Sequence, residues 1–215
     1  MSGKILNITN GDAFNRYFLS EFGGDAIPFC EAMMDGDTVY EIYSDDFTSL
    51  RASELGVSAD EYVSKAHLSK FSALHEYPRL DLWFGKDTFC QMNLLTLLAY
   101  LEQVDYRGKV LLNYIDDETF SVIEANISVE LGSYNDIYKK ILILKENPGE
   151  IGVLVRKAVE LYFDYHSDNG MLARSVRENS EMNDGELLRL LLEISAEYGL
   201  SDIQAQKLIE KYKEK

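Results

Sequence analysis

Carboxylates at the ends of apolar runs are the residues of this chain best placed to do chemistry. Gly11 and Asp12 follow the run Lys4 to Asn10, and Glu31 follows Ala26 to Cys30. Gly85, Lys86 and Asp87 follow Leu80 to Phe84, and Asp116 and Asp117 follow Lys109 to Ile115. If these runs are neighbouring parallel strands, the acids crowd one edge of a sheet, where open α/β folds bind ligands. Crowded carboxylates repel unless they are protonated, paired or bridged by a cation. A hard ion such as Mg²⁺ is the candidate cofactor, with Asp12, Glu31, Asp87 and Asp116 (or Asp117) as its oxygen ligands, and such an ion could hold a phosphate. The competing reading is helix capping, because an Asp at a strand end often caps the next helix; this applies to Asp12 and Asp87.

Other motifs carry less. Gly85-Lys86-Asp87-Thr88 resembles the end of a phosphate loop, but Asp87 intrudes and Leu80 stands where that loop needs glycine. There is no G-x-G-x-x-G after the first run and no G-x-S-x-G elbow. His67 and His75 are expected on one helix, too far apart to share a metal, and His166 near a helix C-terminus, where a partly charged imidazole suits the dipole. The two cysteines, Cys30 and Cys90, have no metal-type spacing. Cys90 at a helix N-terminus would have a lowered pKa, against the plainer reading of both as small buried hydrophobes. Trp83, inside an apolar strand, is expected in the core.

The elements that must position these groups can be read from periodicity. An amphipathic helix carries Phe14, Tyr17, Phe18 and Phe22 and stops at Gly23-Gly24. Val39 to Tyr43 reads as a short extended piece, and Phe47 to Leu55 as a helix ended by Gly56. Ser58 opens Ser-Ala-Asp-Glu, a capping-box pattern, for a helix running to about Tyr77 before Pro78. Asp87 caps a helix from Thr88 to Val104 that is apolar nearly all round and so must be covered on several sides. Phe120 to Leu131 alternates as a half-buried edge strand, with Ile123, Ala125, Ile127, Val129 and Leu131 inward. A helix from Tyr134 to Lys145 follows.

Beyond Pro148 the pattern is helical: Glu150 to His166, Met171 to Asn179, Gly185 to Tyr198 capped by Asn183 or Asp184, and a last helix opened by a Ser201 capping box. The alternation predicts an α/β fold, a Rossmann-like mostly parallel sheet flanked by helices, with an all-helical C-terminal tail. The expected division is an α/β domain over 1–147 and a helical region over 148–215.

The charge balance narrows the partners. Among 215 residues, 21 Lys and Arg face 37 Asp and Glu, a net charge of −16. General nucleic-acid binding is disfavoured by that field. No segment has the ~18 apolar residues of a membrane span, and Met1 to Gly11 has no signal-peptide pattern, so a cytoplasmic protein is expected. The excess has a location: between Arg16 and Arg51 there is no Lys or Arg, while Glu21, Asp25, Glu31, Asp35, Asp37, Glu41, Asp45 and Asp46 all fall there. The segment reads as a solvated acidic loop or as a lid that repels anions until a cation arrives.

Asn10-Gly11-Asp12, Pro28-Phe29-Cys30-Glu31-Ala32-Met33 and Leu82-Trp83-Phe84-Gly85-Lys86-Asp87-Thr88-Phe89-Cys90-Gln91-Met92-Asn93-Leu94-Leu95 together resemble the bacterial domain of unknown function 1835 family. The similarity covers roughly the first 130 residues and is most specific from Trp83 to Leu95. It implies site positions at Gly11, Asp12, Glu31, Trp83, Asp87 and Gln91, and no reaction. Many members have Glu-His in place of Gly85-Lys86 and Asp in place of Cys90, which removes three potential acid–base positions here.

Three functions are then expected in order. The first is binding or sensing of a small polar ligand, nucleotide-like in type, by Gly11, Asp12, Glu31, Asp87 and Gln91. The second is a Mg²⁺-dependent phosphoryl or nucleotidyl enzyme using the strand-end carboxylates. The third is a protein-interaction module working through the helical C-terminal region. Its last helix carries Lys207, Lys211, Lys213 and Lys215 diluted by Glu210 and Glu214, a poor match to a DNA-reading helix.

Overall fold

A computed structural model describes residues 4–213. The expectations for Met1 to Gly3, Glu214 and Lys215 lie outside the described residues. The fold is α/β. Strands β1 (Ile5–Asn10), β2 (Asp25–Phe29), β3 (Arg79–Phe84), β4 (Lys109–Ile115) and β5 (Val122–Val129) form one sheet in the order β2-β1-β3-β4-β5. The first four strands are parallel, and β5 lies antiparallel on β4 at the edge. No helix among the described residues is long and apolar enough to cross a membrane.

Period-two alternation sorts the strand side chains onto two faces. Leu6, Ile8, Leu80, Leu82, Phe84, Val110, Leu112 and Tyr114 enter the main core with helix α4 (Thr88–Gln103). That helix is buried on nearly every side, as its composition demands, between the sheet and helices α5 (Tyr134–Tyr138) and α6 (Arg156–Tyr165). On the other face, helix α1 (Gly11–Glu21) sets Phe14 and Phe18 against Ile115. Trp83 belongs to this smaller aromatic cluster and is only half-buried, with its indole N–H donating to Asn7 Oδ1 at 3.0 Å. It is therefore not in the main core.

Helices α2 (Asp45–Glu54) and α3 (Ala59–Lys65) follow β2, and α7 (Met171–Glu178), α8 (Asp184–Ile194) and α9 (Asp202–Tyr212) complete the chain. Tyr162, Leu172, Val176, Leu187 and Leu208, all beyond Pro148, share the core of α4. Ser201 with Gln204, and Asn183 with Glu186, make full capping boxes. Asn183→Ala should cost about 1 kcal/mol, read as a shift of the urea midpoint at unchanged slope; a shift indistinguishable from zero would deny the cap that role.

Several sequence expectations are corrected. The helix expected from Ser58 to Tyr77 ends at Lys65. His67 is left-handed at φ 54°, and Leu68–Glu76 is a 3₁₀ helix that buries Phe71 and Leu74, whose spacing of three suits that tighter turn. His67 and His75 therefore do not share a helix. Val39 to Tyr43 forms turns rather than a strand. The alternation of β5 is broken by an extra residue: Leu112 faces Ile127 while Tyr114 faces Glu124, and Asn126 is left-handed at φ 61°. Ile127 still packs on the core, but Ile123 is 53% exposed. The helix expected from Glu150 starts only at Arg156, because upstream amides are taken by side chains: Val153 N donates to the Tyr134 hydroxyl and Val155 N to Gln91 Oε1. The helix expected to reach Tyr198 ends at Ile194, with a 3₁₀ turn over Ala196–Tyr198.

Candidate functional site

The strand order reverses direction between β1 and β3, so their carboxyl ends flank a natural crevice. Two buried amides on α4 set the loops there. Asn93 donates to Asn10 Oδ1 at 3.0 Å and to the Glu31 carbonyl at 2.7 Å, and accepts from Met33 N at 3.0 Å. Gln91 donates to the Gly85 carbonyl at 2.6 Å and accepts from Val155 N at 2.9 Å. Gln91 is fully buried, and its amide joins two loops.

Asp87 caps α4, with Oδ1 accepting from Cys90 N at 2.9 Å. Its carboxylate also meets the Cys90 thiol and the Asp117 carboxylate: one ligand-type atom from each lies within 4.8 Å of the others. Capping and site geometry thus coexist at this residue. Gly85 makes the approach possible, since a Cβ there would overlap the Asp117 carboxylate. Gly199, between α8 and α9, is likewise bare against Asp87. The Cys90 thiol donates to Asp117 Oδ2 at 3.5 Å and accepts from Asn10 Nδ2 at 2.8 Å.

Burial raises the Cys90 thiol well above its ordinary pKa, and Asp87 and Asp117 push the same way. This corrects the expectation of a lowered pKa: two carboxylates and burial outweigh the helix N-terminus. Asp117 is exposed at the surface, yet its carboxylate turns inward over Gly85. Desolvation, then the hydrogen bond and repulsion from Asp87, push it up to about 7. Asp117 therefore carries a proton through the lower part of the neutral range.

Asp87 and Asp117 of this group line a cleft of about 870 Å³. Its lining mixes Lys86, Lys157, Asp87, Asp116, Asp117, Glu118 and Glu197 with an apolar wall that includes Ile115, Val155, Leu192 and Leu200. One side is the end of the sheet and the other is α6, α8 and the turn before Gly199. Thr88 ties the two sides, its hydroxyl within 3.2 Å of both the Ala158 and Glu197 carbonyls. The cleft thus lies between the α/β body and the C-terminal helices.

No family model, no curated protein and no solved structure matches the chain.

The other strand-end residues go elsewhere. Gly11 opens α1 at φ 80° with free space around it, and Asn10, not Asp12, is the N-cap. Asp12 faces His67, with Oδ1 3.3 Å from Nε2. Glu31 turns into the interior, where it accepts from the Tyr62 hydroxyl and lies 3.9 Å from Arg51 Nε. Asp116 is spent on its own turn, accepting from Thr119 N at 2.8 Å and from the Thr119 hydroxyl at 2.7 Å. Asp12, Glu31, Asp87 and Asp116 therefore do not converge on one ion. Four side chains occupy four settings because each loop leaves the sheet in a different direction.

Three contributors escaped sequence reasoning. Asn93 and Lys157 sit on helices with nothing local to distinguish them, and Gly199 read only as a helix stop. His166 is also corrected: the residue is exposed, its Nε2 lies 3.0 Å from the Met34 carbonyl, and desolvation of the ring followed by Lys145 lowers its pKa, opposite to the shift expected at a helix C-terminus.

Proposed function

We propose that this chain binds a small ligand in the cleft between the ends of β3 and β4 and the C-terminal helices. The observation that carries the reading is the Asp87–Asp117 pair in the lining of that cleft, backed by the buried Cys90 thiol and set among apolar side chains. A few convergent polar groups against apolar lining are the usual make-up of a small-molecule site. Binding is favoured over catalysis because the thiol is held protonated and no histidine lines the cleft.

The lining also selects the ligand. Its carboxylates outnumber its two lysines, Lys86 and Lys157, and Lys86 is occupied by Glu124 at 3.4 Å and by the Tyr114 ring. A neutral or cationic molecule with donor groups and an apolar body fits; a nucleoside or an organic amine is preferred over a free nucleotide, whose phosphates would be repelled. The stretch from Trp83 to Leu95, which resembles the domain of unknown function 1835 family most closely, supplies Asp87, and this supports reading that position as part of a site.

A thermal-shift screen of amines, nucleosides and nucleotides, with and without Mg²⁺, tests the proposal. A ligand at ~100 times its Kd should raise the melting temperature by about 5–10 °C, and Asp117→Asn should remove most of that shift. If no compound stabilises the protein, or if Asp117→Asn responds like the wild type, the cleft is not the site.

A further inference from the structure

Across Asn10 from the cleft lies a second group of side chains. Asp12 stands in the first turn of α1, Cys30 directly after β2, and His67 at the break between α3 and the 3₁₀ helix. One oxygen, one sulfur and one nitrogen from these residues all lie within 4.8 Å of one another. We propose that Asp12, Cys30 and His67 form a binding site for a borderline divalent transition ion of the Zn²⁺ type, with a fourth position open to solvent.

The donor set decides the class of ion. Thiolate, imidazole and carboxylate together suit Zn²⁺ or Co²⁺, whereas Mg²⁺ and Ca²⁺ take oxygen. The three donors come from three separate elements and, among the described residues, their side chains hydrogen-bond only within the group. A purely structural Asp or His in a loop is normally engaged by backbone; these three are engaged by each other.

Access is open, with Asp12 and His67 side chains 53% and 27% exposed. Three protein ligands and a free position are the pattern of a site that can take water or a small ligand as its fourth partner. The field around Cys30 is mostly anionic, from Asp12 and Glu31, with Lys70 as the opposing cation. The segment flanking Cys30 has eight carboxylates and no Lys or Arg between Arg16 and Arg51, and Arg51 itself is buried. Binding forms the S–metal bond as the Cys30 S–H bond breaks, and the proton passes to solvent.

Co²⁺ titration of the chelator-treated, full-length protein tests the site. The expected result is one Co²⁺ per chain, a thiolate-to-cobalt band in the near ultraviolet, visible absorption of a four-coordinate ion, and displacement by Zn²⁺. Cys30→Ser should abolish the near-ultraviolet band while Cys90→Ser keeps it. His67→Ala, at a partly exposed position, should weaken binding by more than about tenfold and serves as the second variant if Cys30→Ser does not fold. No thiolate band in the wild type overturns the proposal. So does a band lost in Cys90→Ser and kept in Cys30→Ser, or affinity unchanged in His67→Ala.

Discussion

Arg51→Met is expected to cost about 3–5 kcal/mol of folding stability. Arg51 is fully buried on α2, beneath the acidic loop that follows β2. Its Nη1 donates to the Asp35 carbonyl at 2.7 Å and the Asp37 carbonyl at 3.1 Å, and its Nη2 donates to the Ala32 carbonyl at 2.9 Å. The planar fork thus gathers three backbone acceptors, of which only the Ala32 carbonyl also receives an N–H, from Asp35 at 3.1 Å, and the loop around Glu31 is shaped on it. Methionine fills much of the same volume but leaves Glu31 without its buried cation and the part-buried Asp35 and Asp37 carbonyls without their donor, each lost donor costing up to about 1–3 kcal/mol before relaxation. Arg51→Lys keeps the charge but cannot reach all three acceptors from one ammonium, so it should fall between the two. Urea denaturation of the three proteins measures this. A loss below ~1 kcal/mol in Arg51→Met would mean that the loop is held by its own turns, and that the lack of other cations between Arg16 and Arg51 has no structural counterpart.

The acidic segment looks different once Arg51 is placed. In the sequence it is eight carboxylates next to the site edge, readable as a lid or as a solubilising loop. In the fold the loop is anchored through its carbonyls, so most of its side chains are free to face solvent while Glu31 is drawn inward. Nothing local to Glu31 announces this. The residue that decides its direction is on the following helix, and the hydroxyl that donates to its Oε1 is on the helix after that, at Tyr62.

Where periodicity acts over a few residues, the fold was legible. The even-numbered residues of β3 (Leu80, Leu82 and Phe84) announce the core face, and the apolar α4 announces its own enclosure. The failures have a common cause: a local pattern is overridden by a partner from elsewhere. The register of β5 slips where Asn126 N is captured by Asn113 Oδ1, at 3.0 Å. The helix expected from Glu150 is unwound where Tyr134 and Gln91 take its amides. The site divides in the same way. Asp87 and Asp117 follow from the rule that ligands gather at strand ends. The cleft they line does not, because its second wall is built by α6, α8 and Gly199, which no strand-end rule can locate. Cys30 and His67 stand far apart in the sequence with nothing local to link them, and only the break at His67 brings them beside Asp12.

Stability should fall as pH rises from 5 to 8, and Glu31→Gln should flatten the fall. Glu31 is buried, and desolvation raises its carboxyl to about 7 against the lowering influence of the Tyr62 hydroxyl and Arg51. At 3.9 Å the Arg51 contact is too long for a hydrogen bond, which is why burial prevails. An unfolded chain releases the same proton near 4.3. Between those values the native state holds more protons than the unfolded state, so the slope of stability against pH is negative. The contribution is complete below about 4.3 and is lost as pH passes through 7, a change of at most about 4 kcal/mol. Asp117, also raised to about 7, acts with the same sign in an overlapping window. The net charge of −16 adds a general self-repulsion that also grows with pH. The comparison that matters is therefore wild type against Glu31→Gln at each pH, in which the general repulsion and Asp117 largely cancel. Urea midpoints at pH 5, 6, 7 and 8 should show a gap that closes or reverses as pH rises. A gap independent of pH would place Glu31 in the ionised state throughout, and the acidic loop would then rest on a buried ion pair rather than on a neutral carboxyl beside an arginine committed to backbone.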